Sequence, residues 1–161
     1  METKRTRITP LEEKHVEVVL AMYFEPDTWK YIKPHEDKDE SYYRTFLKGK
    51  IEKNENEIGF WVVYSKEGKF IGTINLNNFM DEPIIHMGVH LRRDIWGKGF
   101  ATELMQRLLN YAQEEKQLSE VYAIIVEGNH ASIKIFEKLG FSLKDKREVD
   151  GEILRFYSLQ F

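Results

Sequence analysis

Ile84 to Leu91 reads as a strand and Phe100 to Lys116 as an amphipathic helix, and between them stands Arg92-Arg93-Asp94-Ile95-Trp96-Gly97-Lys98-Gly99. This junction constrains the chain more than any other stretch, because the hydrophobic period changes from strand to helix across it. Its two glycines permit positive φ, which other residues adopt only at a cost. Three readings are open. The pair can be a tight turn and nothing more. It can belong to a dinucleotide fingerprint, Gly97-x-Gly99-x-x-Thr102, with Glu127 closing the next strand. Against that, Thr102 stands where Gly or Ala is usual, and the acid lies about 30 residues on instead of about 20. Third, the turn can cradle a pyrophosphate such as that of coenzyme A. A helix start exposes unpaired N–H groups and about half a positive charge. The missing side chains at Gly97 and Gly99 open the backbone to a phosphate, and Arg92, Arg93 and Lys98 add cations. A P-loop is excluded, since no Gly-x-x-x-x-Gly-Lys-Ser/Thr occurs.

Composition bounds the rest. A chain of 161 residues with 42% apolar and 13% aromatic content suits one domain with a single core, spanning 1–161. A net charge of −3 argues against a nucleic-acid binder. The lack of cysteine excludes disulfides, a thiolate nucleophile and sulfur-ligated metals, and fits a reducing compartment. No apolar run approaches the roughly 20 residues of a membrane span. The expectation is a cytoplasmic protein without membrane or nucleic-acid partners.

Along the chain, Arg5 to Thr9 reads as a strand, and Pro10 is expected to open a helix through about Tyr23. Glu25 to Asp39 is irregular. Asp39 or Ser41 can cap a second helix that stops in the polar run Lys53 to Glu57. Gly59 to Tyr64 and Lys69 to Leu76 alternate as strands around the turn Lys66-Glu67-Gly68. Val121 to Val126 is continuous and β-branched, as expected of a strand buried on both faces. Residues 131 to 139 form a helix stopped by Gly140, with Phe136 and Phe141 spaced for the apolar contact that accompanies such stops. Strands near Ser142 to Val149 and Glu152 to Phe161 meet at Asp150-Gly151, a hairpin signal. The order β-α-α-β-β-β-α-β-α-β-β predicts an α+β fold whose central sheet is mixed, mostly antiparallel and flanked by helices.

Trp96-Gly97-Lys98-Gly99-Phe100-Ala101-Thr102-Glu103 resembles the acyl-CoA signature of the GNAT superfamily of N-acetyltransferases, in the branch that includes ribosomal-protein N-terminal (alanine/serine) acetyltransferases. A second block, Asn129-His130-Ala131-Ser132 followed by Phe136-Glu137-Lys138-Leu139-Gly140-Phe141, resembles the family's next helix. The chain departs at Asp94, where the superfamily pattern has Gln or Arg, and at Phe136, where many relatives carry a tyrosine thought to act as general acid on the leaving sulfur.

The resemblance implies acetyl transfer from acetyl-CoA to a primary amine, a protein N-terminus or a small molecule, by direct attack. It implies that the backbone at Val89, His90 and Leu91 pairs with the pantetheine arm, and that the N–H groups of Gly97, Lys98, Gly99, Phe100, Ala101 and Thr102 bind the pyrophosphate. Asn129 either contacts the pantetheine region or caps its helix, and Phe136 lies beside the cofactor. A backbone N–H near Val89 is the donor expected for the thioester oxygen, and Gly88 is expected to mark a local break in the strand. His86, where relatives often have Glu, is the expected base, since an unperturbed imidazole titrates near pH 6.5. Ser132 can donate to the sulfur. His86 and His90 do not make a metal site, because four strand rises separate them by about 13 Å. Trp29 and Tyr31 are expected to wall the acceptor mouth, and the acidic stretch 35–40 either attracts a cationic amine or is a solvated loop. The last strand can pair across a homodimer. A non-catalytic acyl-CoA sensor is the rival reading, favoured by Phe136.

Overall fold

A computed structural model describes residues 1–32, 35, 38–54 and 59–161. The strands are β1 (Thr6–Pro10), β2 (Gly59–Ser65), β3 (Phe70–Asn78), β4 (Ile85–Leu91), β5 (Glu120–Val126), β6 (Ser142–Val149) and β7 (Glu152–Gln160). The helices are α1 (Val16–Tyr23), α2 (Glu40–Lys53), α3 (Phe100–Asn110) and α4 (His130–Lys138). The strands form one sheet in the order β1-β2-β3-β4-β5-β7-β6. Only β4 and β5 run parallel among these neighbours. The α+β architecture and the element order are those expected. Among the described residues no helix is long and apolar enough to cross a membrane.

Alternation along β2 explains how the sheet is covered. Trp61 and Val63 face one side, with Ile71, Ile74, Leu76 and Met87, beneath α3 and α4. Phe60 and Val62 face the other, packed with Leu20, Tyr43 and Leu47 of α1 and α2. The stripe Leu104, Met105, Leu108 and Leu109 explains why α3 lies flat on the first face. The stop at Gly140 closes as the spacing predicted. Gly140 N donates to Glu137 O and Phe141 N to Phe136 O, both at 3.0 Å, while the two phenyl rings meet edge-on at 5.1 Å.

Four expectations change. Pro10 does not open a helix. It ends β1 opposite Trp61, at a sheet edge where a missing N–H is tolerated, and a 3-10 turn at Glu13–His15 leads into α1. The third long helix gives way at Tyr111–Glu115 to a π-helical turn. β5 is buried on one face only: Val121, Ala123 and Ile125 are covered, while Tyr122, Ile124 and Val126 are half-buried. Finally, β7 is no free edge. It pairs with β5 on one side and β6 on the other, so its ladder is already used and the homodimer pairing expected of it is not available.

The feature that positions the site is the join between β4 and β5. Every other neighbouring pair is in register over five to seven residues, but this pair meets only at His86 and Tyr122. Beyond that level the strands part, and the β5 side of Val89 to Leu91 has no strand partner among the described residues.

Candidate functional site

Both glycines of the turn need their freedom. Gly97 has φ 73° and Gly99, which caps α3, has φ 78°. No main-chain acceptor among the described residues takes the N–H of Gly97, Lys98 or Gly99. The N–H groups of Phe100, Ala101 and Thr102 open the helix and are unpaired by its geometry. Six consecutive donors thus stand at the positive end of α3. A Cβ built at Gly97 meets no atom of the described residues within 4 Å, so they leave the space in front of the turn open. These donors suit a diphosphate.

The cations beside the turn are distributed differently from expectation. Arg92 pairs with Glu25 at 3.1 Å and Asp94 at 3.3 Å, and Arg93 with Asp27 at 2.6 Å. Both arginines therefore tie this corner to the segment after α1, and Lys98 alone of the three forms no ion pair among the described residues. The sequence reading missed Arg5. Its Nε donates to Glu103 Oε2 at 2.6 Å, its Nη1 to Lys98 O at 2.9 Å, and its guanidinium lies 4.0 Å from the Phe100 ring centroid. Burial pushes the Glu103 carboxyl up, but hydrogen bonds from Thr3 and Arg5 outweigh it and leave the group below the usual range. The only signal was Glu103 itself, in the fingerprint run. We expect Arg5→Ala to cost about 1–2 kcal/mol in urea unfolding, as a partly buried charged hydrogen bond is lost. It should also weaken acetyl-CoA binding roughly tenfold by calorimetry as the helix start loosens.

The parted edge of β4 can be followed residue by residue. Arg92 N donates to Ile71 O at 3.0 Å in the β3–β4 register. Antiparallel alternation then turns the main-chain groups of residues 86, 88 and 90 toward β3 and those of 87, 89 and 91 toward the gap. The expectation that the His90 backbone pairs with a pantetheine arm is therefore corrected: its N–H and C=O are committed to β3. Val89 and Leu91 do face the gap, although the Leu91 carbonyl already accepts from Trp96 Nε1 at 2.8 Å. Gly88 does not break the strand; it stays in register opposite Asn75.

The side chains of His86 and His90 emerge on the face opposite α3 and α4. His90 stacks on Tyr23 at 5.7 Å and meets Trp29 edge-on at 5.0 Å, so Trp29 does stand against β4, but buried. Its Nε2 is buried without a partner among the described residues, as is Trp29 Nε1. Tyr31 is half-buried and has Lys30 Nζ 5.4 Å from its ring. Burial, helped by Lys50, pushes His86 down to about 4. Burial and the field of His35 push His90 down to about 4 as well, against a backbone hydrogen bond with Thr28. The expectation of a base titrating near 6.5 is thus corrected. His86 is uncharged at neutral pH and can accept a hydrogen bond, but it is too weak to deprotonate an alkylammonium. Of the acidic stretch, Glu36 and Asp37 lie outside the described residues, and Asp39 Oδ1 caps α2 by accepting from Tyr42 N at 2.8 Å.

At α4, Asn129 is the helix cap: its Oδ1 accepts from Ser132 N at 3.3 Å, and its Nδ2 has no partner among the described residues. Ser132 is half-buried, one turn before Phe136. Phe136 is only 3% exposed and belongs to the core beneath the sheet. Among the described residues no group of three or more His, Cys, Asp or Glu is arranged to hold a metal.

An open helix start with unpaired N–H groups beside a split parallel strand pair suits a diphosphate-bearing cofactor such as acyl-CoA. Residues 5–142 match the family model described as Acetyltransferase (GNAT) domain, and the chain belongs to that family. It is an N-acetyltransferase that uses acetyl-CoA. The uncharacterized N-acetyltransferase p20 of Bacillus licheniformis is 26% identical over 164 residues, covering 96% of this chain and 91% of that protein. The solved structure of a GNAT-family acetyltransferase from Bacillus anthracis shares the fold with a TM-score of 0.85 at 22% identity, over 99% of this chain and 97% of that one. Spermidine N-acetyltransferase from Vibrio cholerae, solved with CoA and spermine, shares it with a TM-score of 0.80 at 18% identity, over 96% and 95%.

Proposed function

We propose that the whole chain works as one cytoplasmic acetyltransferase domain that acetylates a primary amine, a protein N-terminus or a small molecule, by direct attack on acetyl-CoA held across the β4–β5 gap. One observation carries this reading: the strands part beside the six free donors of Gly97 to Thr102. In it, those N–H groups and Lys98 hold the diphosphate. The free main-chain groups of Val89 line the pantetheine arm, joined by Asn129 Nδ2. Bound acetyl-CoA supplies the activated acetyl group. The N–H of Val89 donates to the thioester oxygen as charge grows there.

His86 accepts a hydrogen bond from an amine that arrives uncharged. Taking a proton from an alkylammonium with a pKa near 10.4 onto a group near 4 would cost about 8–9 kcal/mol, so free amine is the reacting form. No general acid is needed on the sulfur, because a thiol with a pKa near 8.5 leaves tolerably as thiolate. The Ser132 hydroxyl, one turn from Phe136, donates to that sulfur.

Calorimetry with acetyl-CoA and release of free thiol across a panel of amines test the reading together. Absence of acetyl-CoA binding would sink it. His86→Ala and Ser132→Ala should each lower kcat by roughly fivefold, the worth of one hydrogen bond of about 1 kcal/mol. Unchanged turnover in both variants removes them from the mechanism. The dimer question is answered separately by the mass of the protein in solution.

A further inference from the structure

Gly88 leaves space that a side chain would fill, and it has no need of backbone freedom. It is absent from the positive-φ glycines and lies within regular β4, opposite Asn75 of β3. A Cβ built there would stand 2.7 Å from Asn75 Oδ1 and 3.4 Å from its Cγ. The carboxamide lies across the middle of β4 in the space that residue 88, lacking a side chain, leaves open. Two donors and an acceptor oxygen are available on that group, yet Asn75 makes no side-chain hydrogen bond with any described residue. It is half-buried, so the group is reachable.

Asn54 in the same chain shows what a structural asparagine does. It donates to Leu11 O and Phe60 O and accepts from Phe60 N. Asparagine is also disfavoured inside strands, so Asn75 has neither a propensity nor a hydrogen-bond reason to be where it is. Its neighbours on the same face are His86 and His90 along β4 and Asn77, which pairs in register with His86. Asn77 is 7% exposed and likewise makes no side-chain hydrogen bond with a described residue. The strip is polar and holds unused hydrogen-bonding capacity, one residue from the Val89 N–H.

We propose that Asn75 is a catalytic residue of the acetyl transfer, its Oδ1 accepting an N–H of the attacking amine above Gly88. This rests on the acetyl-CoA reading above. A carboxamide oxygen does not take the proton away; it orients the nitrogen so that its lone pair faces the thioester carbon. The C–N bond forms as the C–S bond breaks, the sulfur carries off the electron pair, and the surplus proton on nitrogen passes to His86.

Hydroxylamine, a small amine uncharged at neutral pH, serves as the acceptor probe, with thiol release from acetyl-CoA as the readout. Asn75→Ala and Asn75→Ser, both too short to reach, should lower kcat roughly 10- to 100-fold, the penalty of a misplaced nucleophile. Their acetyl-CoA Kd by calorimetry should stay within about threefold of the parent, since the group lies outside the cofactor contacts. Asn75→Asp keeps an oxygen in place and should recover most of the rate. Unchanged turnover in the short variants overturns the proposal, as does loss of acetyl-CoA binding in them, which would make Asn75 a scaffold. It is also overturned if the parent binds acetyl-CoA but does not accelerate the hydroxylamine reaction. A parent that fails to bind acetyl-CoA fails the earlier reading first, and this one with it.

Discussion

Alanine at both Gly97 and Gly99 is expected to weaken acetyl-CoA binding by about 100-fold or more while costing the fold only about 2–4 kcal/mol. The stability term comes from the backbone alone. Both residues sit in the left-handed region, at φ 73° and 78°, where a side chain costs about 1–2 kcal/mol per residue. Sterics among the described residues add nothing: a Cβ at Gly97 meets none of their atoms within 4 Å, and one at Gly99 meets only Arg5 Nη2 at 3.6 Å, an ordinary contact. The new methyl groups therefore project only toward whatever the free N–H groups hold. Two lost charge-assisted hydrogen bonds at about 1.5–3 kcal/mol each correspond to the expected fall in affinity. Calorimetry with acetyl-CoA gives the binding term and urea unfolding the stability term. Binding within about threefold of the parent, with the strain visible in unfolding, would move the diphosphate away from this turn.

The second large effect is acid lability above the range where carboxylates titrate. His86 and His90 are each pushed down to about 4, against an ordinary value near 6.5 in the unfolded chain. Between those values the unfolded chain takes up protons that the folded one refuses. Stability from the two neutral imidazoles is complete above about pH 6.5, falls steadily through the window, and is gone below about pH 4. At 1.36 kcal/mol per pH unit each contributes on the order of 1–3 kcal/mol, since both side chains are only half-buried. That is a sizeable part of the margin of an ordinary domain, about 5–15 kcal/mol. Urea midpoints measured from pH 7.5 to 4.5 should fall continuously, and a His86→Gln, His90→Gln double variant should lose most of that slope. A parent profile flat down to pH 4.5 would show that the imidazoles are not sealed from water. The same depression predicts no enzyme-side limb near pH 6.5 in kcat/KM. A rising limb there or above reports the acceptor amine instead.

Much of this protein was legible in short stretches of chain. The change of period at Gly97 and Gly99, the stop at Gly140 with its Phe136–Phe141 contact, and the Asp150-Gly151 hairpin all depend on φ and on side-chain spacing within a few residues. Such signals survive in one dimension. The family fingerprint extends the same advantage to the diphosphate cradle, because a helix start and its donors are local too.

Where the reading failed, the deciding neighbour came from far along the chain. Pro10 was free to follow its helix-opening preference until β2 arrived beside it. The Asp150-Gly151 hairpin fills one side of β7, which looked like a free edge because nothing nearby in sequence announces that β5 takes the other side. Arg5 reaches Glu103, Asn75 lies over Gly88, and the histidines lose their charge to burial by elements folded from both halves of the molecule.

Local sequence alone thus determined the order of elements and the conformation of the phosphate-type turn, because backbone dihedrals and periodicity are short-range. Tertiary structure alone decided which main-chain groups face the β4–β5 gap, which imidazoles remain uncharged and which carboxamide reaches the reacting centre. Strand pairing and desolvation are set by groups brought together only when the sheet closes.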